Sequence, residues 1–151
     1  MSIAITLHLL AAMIWIGGMF FAYMVLRPCA AQLLPPPQRI TLWHGCFKQF
    51  FPWVWGSIIV LAGTGYGMAL MLFGGISGSG SHIKVMGFNG LLMITLFIYL
   101  YLHPYAQFKR LVDKENYPEA GQALATIRTV IGTNLIIGLL TTITAAMGRT
   151  S

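Results

Sequence analysis

Charged residues are scarce in this chain, and acidic residues are almost missing. Aspartate and glutamate together number three among 151 residues, and all charged residues make up 8% of the sequence. An ordinary soluble domain carries about a quarter charged residues. Hydrophobic residues account for 57%, so polar residues cannot cover the surface of a soluble globule. The composition therefore predicts an integral membrane protein with a single domain, residues 1–151.

Motifs for acid–base or nucleotide chemistry are also missing. The three acids, Asp113, Glu115 and Glu119, lie in one polar stretch, and none falls in an apolar run. There is no phosphate-binding glycine loop, HExxH motif or nucleophile–base pair, so no catalytic residue is assigned and enzymatic activity is left open. The two cysteines, Cys29 and Cys46, are too few for a disulfide scaffold. The nine basic residues form no arginine-rich patch with interleaved aromatics, which excludes nucleic acid as an expected partner.

Four long apolar runs are present, and each approaches the roughly 20 residues that cross the hydrocarbon layer. They cover residues 2–26, 53–73, 83–103 and 129–147. Because backbone groups in lipid need internal hydrogen bonds, each run is predicted to be a helix. The predicted fold is an all-α membrane protein with four transmembrane helices in an antiparallel up-and-down bundle. Residues 35–51, which begin with three prolines and then become amphipathic, predict an interfacial helix before the second span.

Basic residues concentrate in the first and third connections between these runs. The residues concerned are Arg27, Arg39 and Lys48, then Lys109, Arg110, Lys114 and Arg128. The positive-inside rule places both connections in the cytoplasm and both termini on the opposite, periplasmic side. Within the third connection, a turn is expected near residues 114–117. Gly63 and Gly67 form a GxxxG pattern in the second run, which predicts close helix packing there.

Four histidines are divided between the two predicted membrane faces. His8 and His82 lie toward the outer face, whereas His44 and His103 lie toward the cytoplasmic face. Helical spacing places His82, Met86, Asn89 and Met93 on one face of the third span, and His8, Ala12, Trp15 and Met19 on one face of the first. Each face of the membrane therefore carries two candidate ligand positions.

Two histidines on different helices of a bundle can ligate one haem iron. His8 and His82 are the candidate axial ligands, and Lys84 and Arg128 are candidate partners for the propionates. Trp15 and Asn134, both inside spans, are included in the predicted cofactor site. Haem b is the favoured cofactor on these grounds.

Copper is the alternative, since imidazole and sulfur ligands suit Cu(I). On the outer side, the candidate ligands are His82 with Met86, together with His8 and either Met13 or Met1. On the inner side, His44 and Cys46 are candidates for a soft metal, and His103 lies at the same face. The sequence leaves open whether His44 and His103 meet.

Two segments resemble a known family. HLLAAMIWIGGMFF, residues 8–21, and IRTVIGTNLIIGLLTTITAAMGR, residues 127–149, resemble the first and last helices of the copper resistance protein D (CopD) family. A more distant resemblance connects His8, Trp15 and the His82-Ile83-Lys84 segment with HemJ-type protoporphyrinogen oxidases. The first resemblance implies copper handling in the bacterial inner membrane. The second implies b-type haem, with His8 as a ligand and Lys84 near the porphyrin.

Three functional hypotheses follow. The first is a haem protein that transfers electrons between quinone or a periplasmic partner and another redox centre. The second is copper transport or delivery, with a periplasmic copper partner. The third is a non-catalytic accessory or assembly subunit of a larger membrane complex. The lipid bilayer is the expected environment in every case, and a homo-oligomer is compatible with each.

Overall fold

The computed structural model describes residues 1–148, and every element in that range is a helix. In chain order the elements are α1 (Ser2–Phe20), a π-helical segment (Phe21–Leu26), α2 (Arg27–Leu33), α3 (Pro36–Phe73), a 3-10 helix (Ile76–Gly78), α4 (Ser81–Leu102), α5 (Pro104–Asp113) and α6 (Tyr117–Gly148). Arg149, which ends the segment that resembles the family's last helix, lies outside the described residues.

Four helical stretches are long and apolar enough to cross a membrane. They are Ser2–Leu33, Pro36–Phe73, Ser81–Asp113 and Tyr117–Gly148. Large apolar side chains stay exposed on them, including Ile3 (77%), Leu33 (78%) and Met71 (82%), which is the surface that lipid chains would cover. The prediction of an all-helical membrane protein with four spans is confirmed. The exact limits of the spans and the orientation in the membrane stay predictions.

Helix α3 contains both the predicted helix before the second span and the second apolar run. It begins at Pro36, continues through Pro52 and ends at Phe73, so residues 36–51 and the second apolar run form one helix. Gly74 closes it with a positive φ of 66°, and its N–H bonds to the carbonyls of Ala69 and Leu70. Such left-handed glycine caps satisfy the last free carbonyls of a helix. The interfacial position of residues 36–51 stays a prediction.

The third connection folds into short helical elements. α4 ends at Leu102, and α5 begins directly after His103, with Pro104 at its first position, where the missing N–H is harmless. α5 ends at Asp113 and α6 begins at Tyr117, so the predicted turn is present. α5 packs on α6 and thereby covers this end of the bundle.

Helix pairing follows from a few close contacts. α1 packs chiefly on α3, and α4 packs chiefly on α6. α1 also meets α6, where Ile16 lies beside Gly138 and Tyr23 lies beside Gly132. In this pair the residue numbers rise along α1 as they fall along α6, so the two helices run in opposite directions at their contact.

The largest buried side chains gather toward one end. Those with almost no exposed surface are Trp43, Val54, Leu100, Phe108 and Ile127. Aromatic rings fill the space between them, with Phe47 stacked on Phe51 at 4.9 Å and Tyr105 edge-on to Phe51 at 4.7 Å. We call this the Arg128 end, defined by His44, Tyr105 and Arg128. The opposite end, defined by His8, Thr64, His82 and Gly148, is called the His82 end.

A close approach of α1 to α3 gives a test of this packing. A Cβ on Gly18 would overlap the ring of Phe50, whereas a Cβ on the neighbouring Gly17 would meet no atom within 4 Å. We expect Gly18→Ala to lower the free energy of unfolding by about 1–3 kcal/mol, which is typical of overpacking. Gly17→Ala should be neutral or stabilise by up to about 1 kcal/mol, because alanine favours the helix. Unfolding in mixed micelles compares the two variants, and equal effects would contradict the packing.

Candidate functional site

His8 is held by a hydroxyl on the neighbouring helix. Its Nδ1 lies 2.8 Å from Oγ1 of Thr64 on α3. The Thr64 hydroxyl also lies 2.6 Å from the carbonyl of Val60, to which it donates its one hydrogen. Thr64 therefore accepts from His8 at Nδ1, and this leaves the lone pair of Nε2 free. A histidine fixed in this way by an outer partner is typical of metal ligands.

A glycine makes room for this arrangement. A Cβ on Gly65 would lie 3.2 Å from Cε1 of His8, closer than an ordinary contact. Cβ atoms on Gly63 and Gly67 would meet nothing within 4 Å in the part of the chain that the structure describes. The GxxxG pattern therefore predicted the wrong glycines for the helix contact within this chain. α3 approaches α1 at Gly65, where the imidazole of His8 packs against it.

His82 faces a different neighbour. A Cβ on Gly148, at the end of α6, would lie 2.6 Å from Cγ of His82. Met93, at the far end of the same stripe, also contacts α6: its carbonyl accepts a 3.1 Å hydrogen bond from Nδ2 of Asn134, and its Cε lies 3.2 Å from the position of a Cβ on Gly138. Met86 is half-buried on this stripe, and Lys84 is exposed. Both histidines lie at the His82 end, but the contacts that orient them are made with separate helices.

Arg128 lies far from these histidines. It is 20 positions before Gly148 on α6, a separation of about 30 Å along a straight helix. His82 packs on Gly148 and Lys84 is two positions further along α4, so both are remote from Arg128. The predicted cofactor residues therefore cannot all contact one porphyrin.

A partly open, apolar cavity of about 370 Å³ lies between α1, α3, α4 and α6, and its lining includes the exposed side chains of Phe21 and Trp53. We call it the sulfur cavity, because Met19 of α1 and Cys46 of α3 both line it. Its other walls are mainly aromatic and include Trp15 and Trp43. Gln49 and Asn134 supply polar side chains to the lining, and three of the sequence candidates, Trp15, Cys46 and Asn134, come together here.

Two buried polar atoms beside the sulfur cavity have no hydrogen-bond partner within residues 1–148. They are Oδ1 of Asn134 and Nε1 of Trp43. Asn134 is 2% exposed, and its amide nitrogen donates a hydrogen bond to the carbonyl of Met93, so the hydrogen-bonding capacity of its side-chain oxygen remains unused among the described residues. Buried polar groups are normally satisfied, and an exception calls for an explanation such as a ligand or water. The lining of the cavity thus includes two sulfur-containing residues and a buried amide oxygen that no donor among the described residues satisfies.

A second cavity of about 360 Å³ lies at the Arg128 end. His44 lines it, and its buried Nδ1 has no hydrogen-bond partner in the described part of the chain. The lining also includes Lys48, Tyr101, Tyr105, Lys109 and Asp113. The ammonium of Lys109 lies 4.7 Å from the centre of the Tyr105 ring, a favourable cation–π position. Cys46 lines the other cavity, so the structure does not bring His44 and Cys46 together. His103 is exposed and packs beside Tyr99 at 5.4 Å, outside both cavities.

Two residues important to these sites escaped the sequence prediction. Thr64 is one of many threonines, and nothing in its neighbourhood distinguishes it from those that bond only their own helix. Met19 was placed on the same helical face as His8 and Trp15 but was not chosen as a ligand. Met19 and Cys46 line the same cavity only because of the way α1 packs on α3, and this packing could not be predicted from the sequence. Among residues 1–148, no three His, Cys, Asp or Glu side chains converge to hold a metal ion, so a metal site in this range needs methionine or fewer ligands.

Comparison with known proteins identifies the family. Residues 44–147 match the family described as copper resistance protein D. This match covers more than half of the chain, and the protein belongs to that family. No curated protein and no solved structure gives a significant match. The family supports a multi-pass membrane protein connected with copper, and it gives no support to haem.

Proposed function

We propose that this protein binds Cu(I) inside the membrane and takes part in its transport or delivery. One observation carries the proposal: in a copper resistance family member, Met19 and Cys46 line the same apolar cavity. Thioether and thiolate groups are the soft ligands that select Cu(I). Copper is the cargo here, so binding must be reversible, and a small number of sulfur ligands suits that purpose.

Charge balance explains how the cavity can accept the ion. An isolated cation in an apolar interior is strongly unfavourable. When Cu(I) binds, the thiol of Cys46 releases its proton, and the resulting thiolate cancels the charge of the metal. The Met19 thioether adds a neutral second ligand, and the free Oδ1 of Asn134 is available to a third interaction. A neutral copper–thiolate unit is thus compatible with a cavity whose walls are largely hydrocarbon.

His8 supplies a candidate entry ligand at the His82 end. Its Nε2 is free because Nδ1 is engaged by Thr64. His82 and Met86 lie on the same end of the bundle and offer further imidazole and thioether groups. If that end faces the periplasm, as the basic residues predict, copper would enter there and continue toward the sulfur cavity.

The haem hypothesis ranks below copper. It rests on His8 and His82 as axial ligands of one iron, with Lys84 and Arg128 as propionate partners, and Arg128 lies too far along α6 to serve in that role. The family match supports copper and gives no support to haem or to electron transfer with quinone or a periplasmic redox partner. The accessory-subunit hypothesis remains as the alternative if the protein binds no metal.

One purified sample distinguishes the three hypotheses. The protein is prepared in mild detergent under reducing conditions, supplied with Cu(I), and passed through a desalting column. We expect a colourless protein with stoichiometric copper by metal analysis. A Soret band with sharp reduced bands would contradict the proposal and restore haem. A colourless protein that retains no copper would also contradict it and would favour an accessory subunit.

A further inference from the structure

Three arginines from three helical elements approach one another at the Arg128 end. Tyr23 packs on Gly132 where α1 and α6 cross. Arg27 follows Tyr23 by four positions, and Arg128 precedes Gly132 by four positions. Because the helices run in opposite directions at this contact, one further turn brings Arg27 opposite Arg128. Arg39 reaches the same region from α3: it bonds the carbonyls of Ala31 and Leu34, shortly after Arg27, and the next residue, Ile40, packs beside Gly121, two turns before Arg128 on α6. We call these three residues the arginine cluster.

Neutral groups position two of the three side chains, those of Arg27 and Arg39. The guanidinium of Arg27 lies 4.8 Å from the centre of the Tyr23 ring. Arg39 donates from one terminal nitrogen to the carbonyls of Ala31 (3.2 Å) and Leu34 (3.0 Å), near the end of α2. These contacts fix the guanidinium planes and leave their charge uncompensated.

No carboxylate offsets this charge among residues 1–148. The charged neighbours that act on Arg128 include Arg27 and Arg39, both repulsive, and no acid. All three arginines are half-buried, and Nε of Arg39 and of Arg128 is buried with no hydrogen-bond partner among the residues that the structure describes. The chain has only three acidic residues. Asp113 lines the His44 cavity, Glu115 lies in the turn between α5 and α6, and Glu119 lies in the first turn of α6.

Such a cluster is unfavourable unless an anion completes it. Burying an unpaired cation is costly, and three like charges raise the cost further. Guanidinium groups bind phosphate with two parallel hydrogen bonds, which a single lysine cannot reproduce. We propose that the arginine cluster binds the phosphate group of an anionic ligand. This site is separate from the sulfur cavity and does not depend on copper binding.

The surroundings suggest how such a phosphate would be presented. Met24 and Val25, which lie between Tyr23 and Arg27 in the chain, are 53% and 42% exposed on the outer surface of the π-helical segment. A phospholipid could place its acyl chains on this apolar surface and its phosphate on the arginines. A free phosphate in the predicted cytoplasmic compartment would present the same chemistry without the chains.

The test measures binding to the intact protein in two separate arms. In one arm, the protein in phosphatidylcholine nanodiscs receives increasing fractions of phosphatidylglycerol. In the other arm, the protein in neutral detergent receives inorganic phosphate. Thermal stability is the readout, and the ligand concentration at half effect gives the affinity.

Arg128→Gln should weaken binding about tenfold or more, since it removes charge-assisted hydrogen bonds. Arg110→Gln is the matched control, because Arg110 is exposed on α5 and the change in net charge is identical.

The outcomes separate the two sources. A response to phosphatidylglycerol that Arg128→Gln weakens and Arg110→Gln preserves supports a lipid phosphate, and the same pattern with inorganic phosphate supports a free one. Arg128→Lys should also weaken binding, because it keeps the charge and loses the planar fork. If Arg128→Gln does not fold, Arg27→Gln provides the same comparison. The proposal is overturned if neither probe stabilises the wild type, or if Arg110→Gln weakens binding as much as the cluster variant.

Discussion

Replacing Met19 by leucine and Cys46 by alanine together is expected to abolish high-affinity Cu(I) binding. The two changes remove both sulfur atoms from the cavity and leave its apolar walls in place. Loss of an outer-shell partner alone typically lowers metal affinity by about 10–100-fold, so loss of two ligands should lower it by at least about a hundredfold. Competition with a chromogenic Cu(I) chelator under reducing conditions measures the change.

The matched control is the pair Met24→Leu with Cys29→Ala. Met24 is 53% exposed and Cys29 is also exposed, so neither residue faces the sulfur cavity. The control makes the same chemical substitutions, and it should retain the wild-type affinity. Leucine replaces methionine with little loss of volume, which keeps the expected destabilisation below about 1.5 kcal/mol. An unchanged affinity in the Met19 and Cys46 variant would mean that copper binds elsewhere, with the His82 end as the next candidate.

The single variants separate the roles of the two sulfur atoms. Cys46→Ala removes the group that becomes anionic, so its effect should exceed that of Met19→Leu. Copper binding to a thiol releases a proton, and the apparent affinity of the wild type should therefore rise with pH. This dependence should largely disappear in Cys46→Ala. If it persists there, another proton-releasing ligand must bind the metal.

The helices could be predicted because the information is local. Each apolar run is long enough to cross the membrane and must satisfy its own backbone, so the four helical spans follow from composition alone. The turn between α5 and α6 was also readable, since Asn116 and Pro118 suit the start of a helix. Helical spacing correctly placed Trp15 and Met19 on a buried face, where they are each 3% exposed.

The sites were less predictable because they depend on which helices are neighbours. His8 and His82 lie at the same end of the bundle. The sequence could not show that His8 hydrogen-bonds with Thr64 or that His82 packs on Gly148. Cys46 was paired with His44 by proximity in sequence. Two positions on a helix point about 200° apart, and the structure accordingly places these two residues in separate cavities.

Glycine spacing illustrates the same limit. Gly63, Gly65 and Gly67 lie on one short stretch of α3, and the GxxxG pattern favoured the outer two. The close contact is made by the middle glycine, because His8 occupies that side of the helix. A motif describes the shape of one helix surface, whereas the side chain that fills it comes from another part of the chain.

Thr64→Val should release His8 from its present tautomer, and this is the second large effect that we expect. Valine matches threonine in shape but cannot accept the hydrogen of His8 Nδ1, which now lies 2.8 Å from Oγ1 of Thr64. Nitrogen NMR of the His8 ring should show a protonated Nδ1 in the wild type and a shift toward protonated Nε2 in the variant. The change at the ring does not require copper to be present.

The same variant should weaken copper binding at His8 by about 10–100-fold, the usual effect of losing an outer partner of a ligating histidine. The measurement is best made with Met19 and Cys46 already replaced, so that the sulfur cavity does not mask it. Thr95→Val is the control: Thr95 bonds the carbonyl of Leu91 as Thr64 bonds that of Val60, but it is exposed and has no imidazole partner. Equal losses of copper affinity in both threonine variants would mean that Thr64 does not act through His8. A loss confined to Thr64, together with the tautomer shift, would establish it as the residue that keeps Nε2 of His8 ready for the metal.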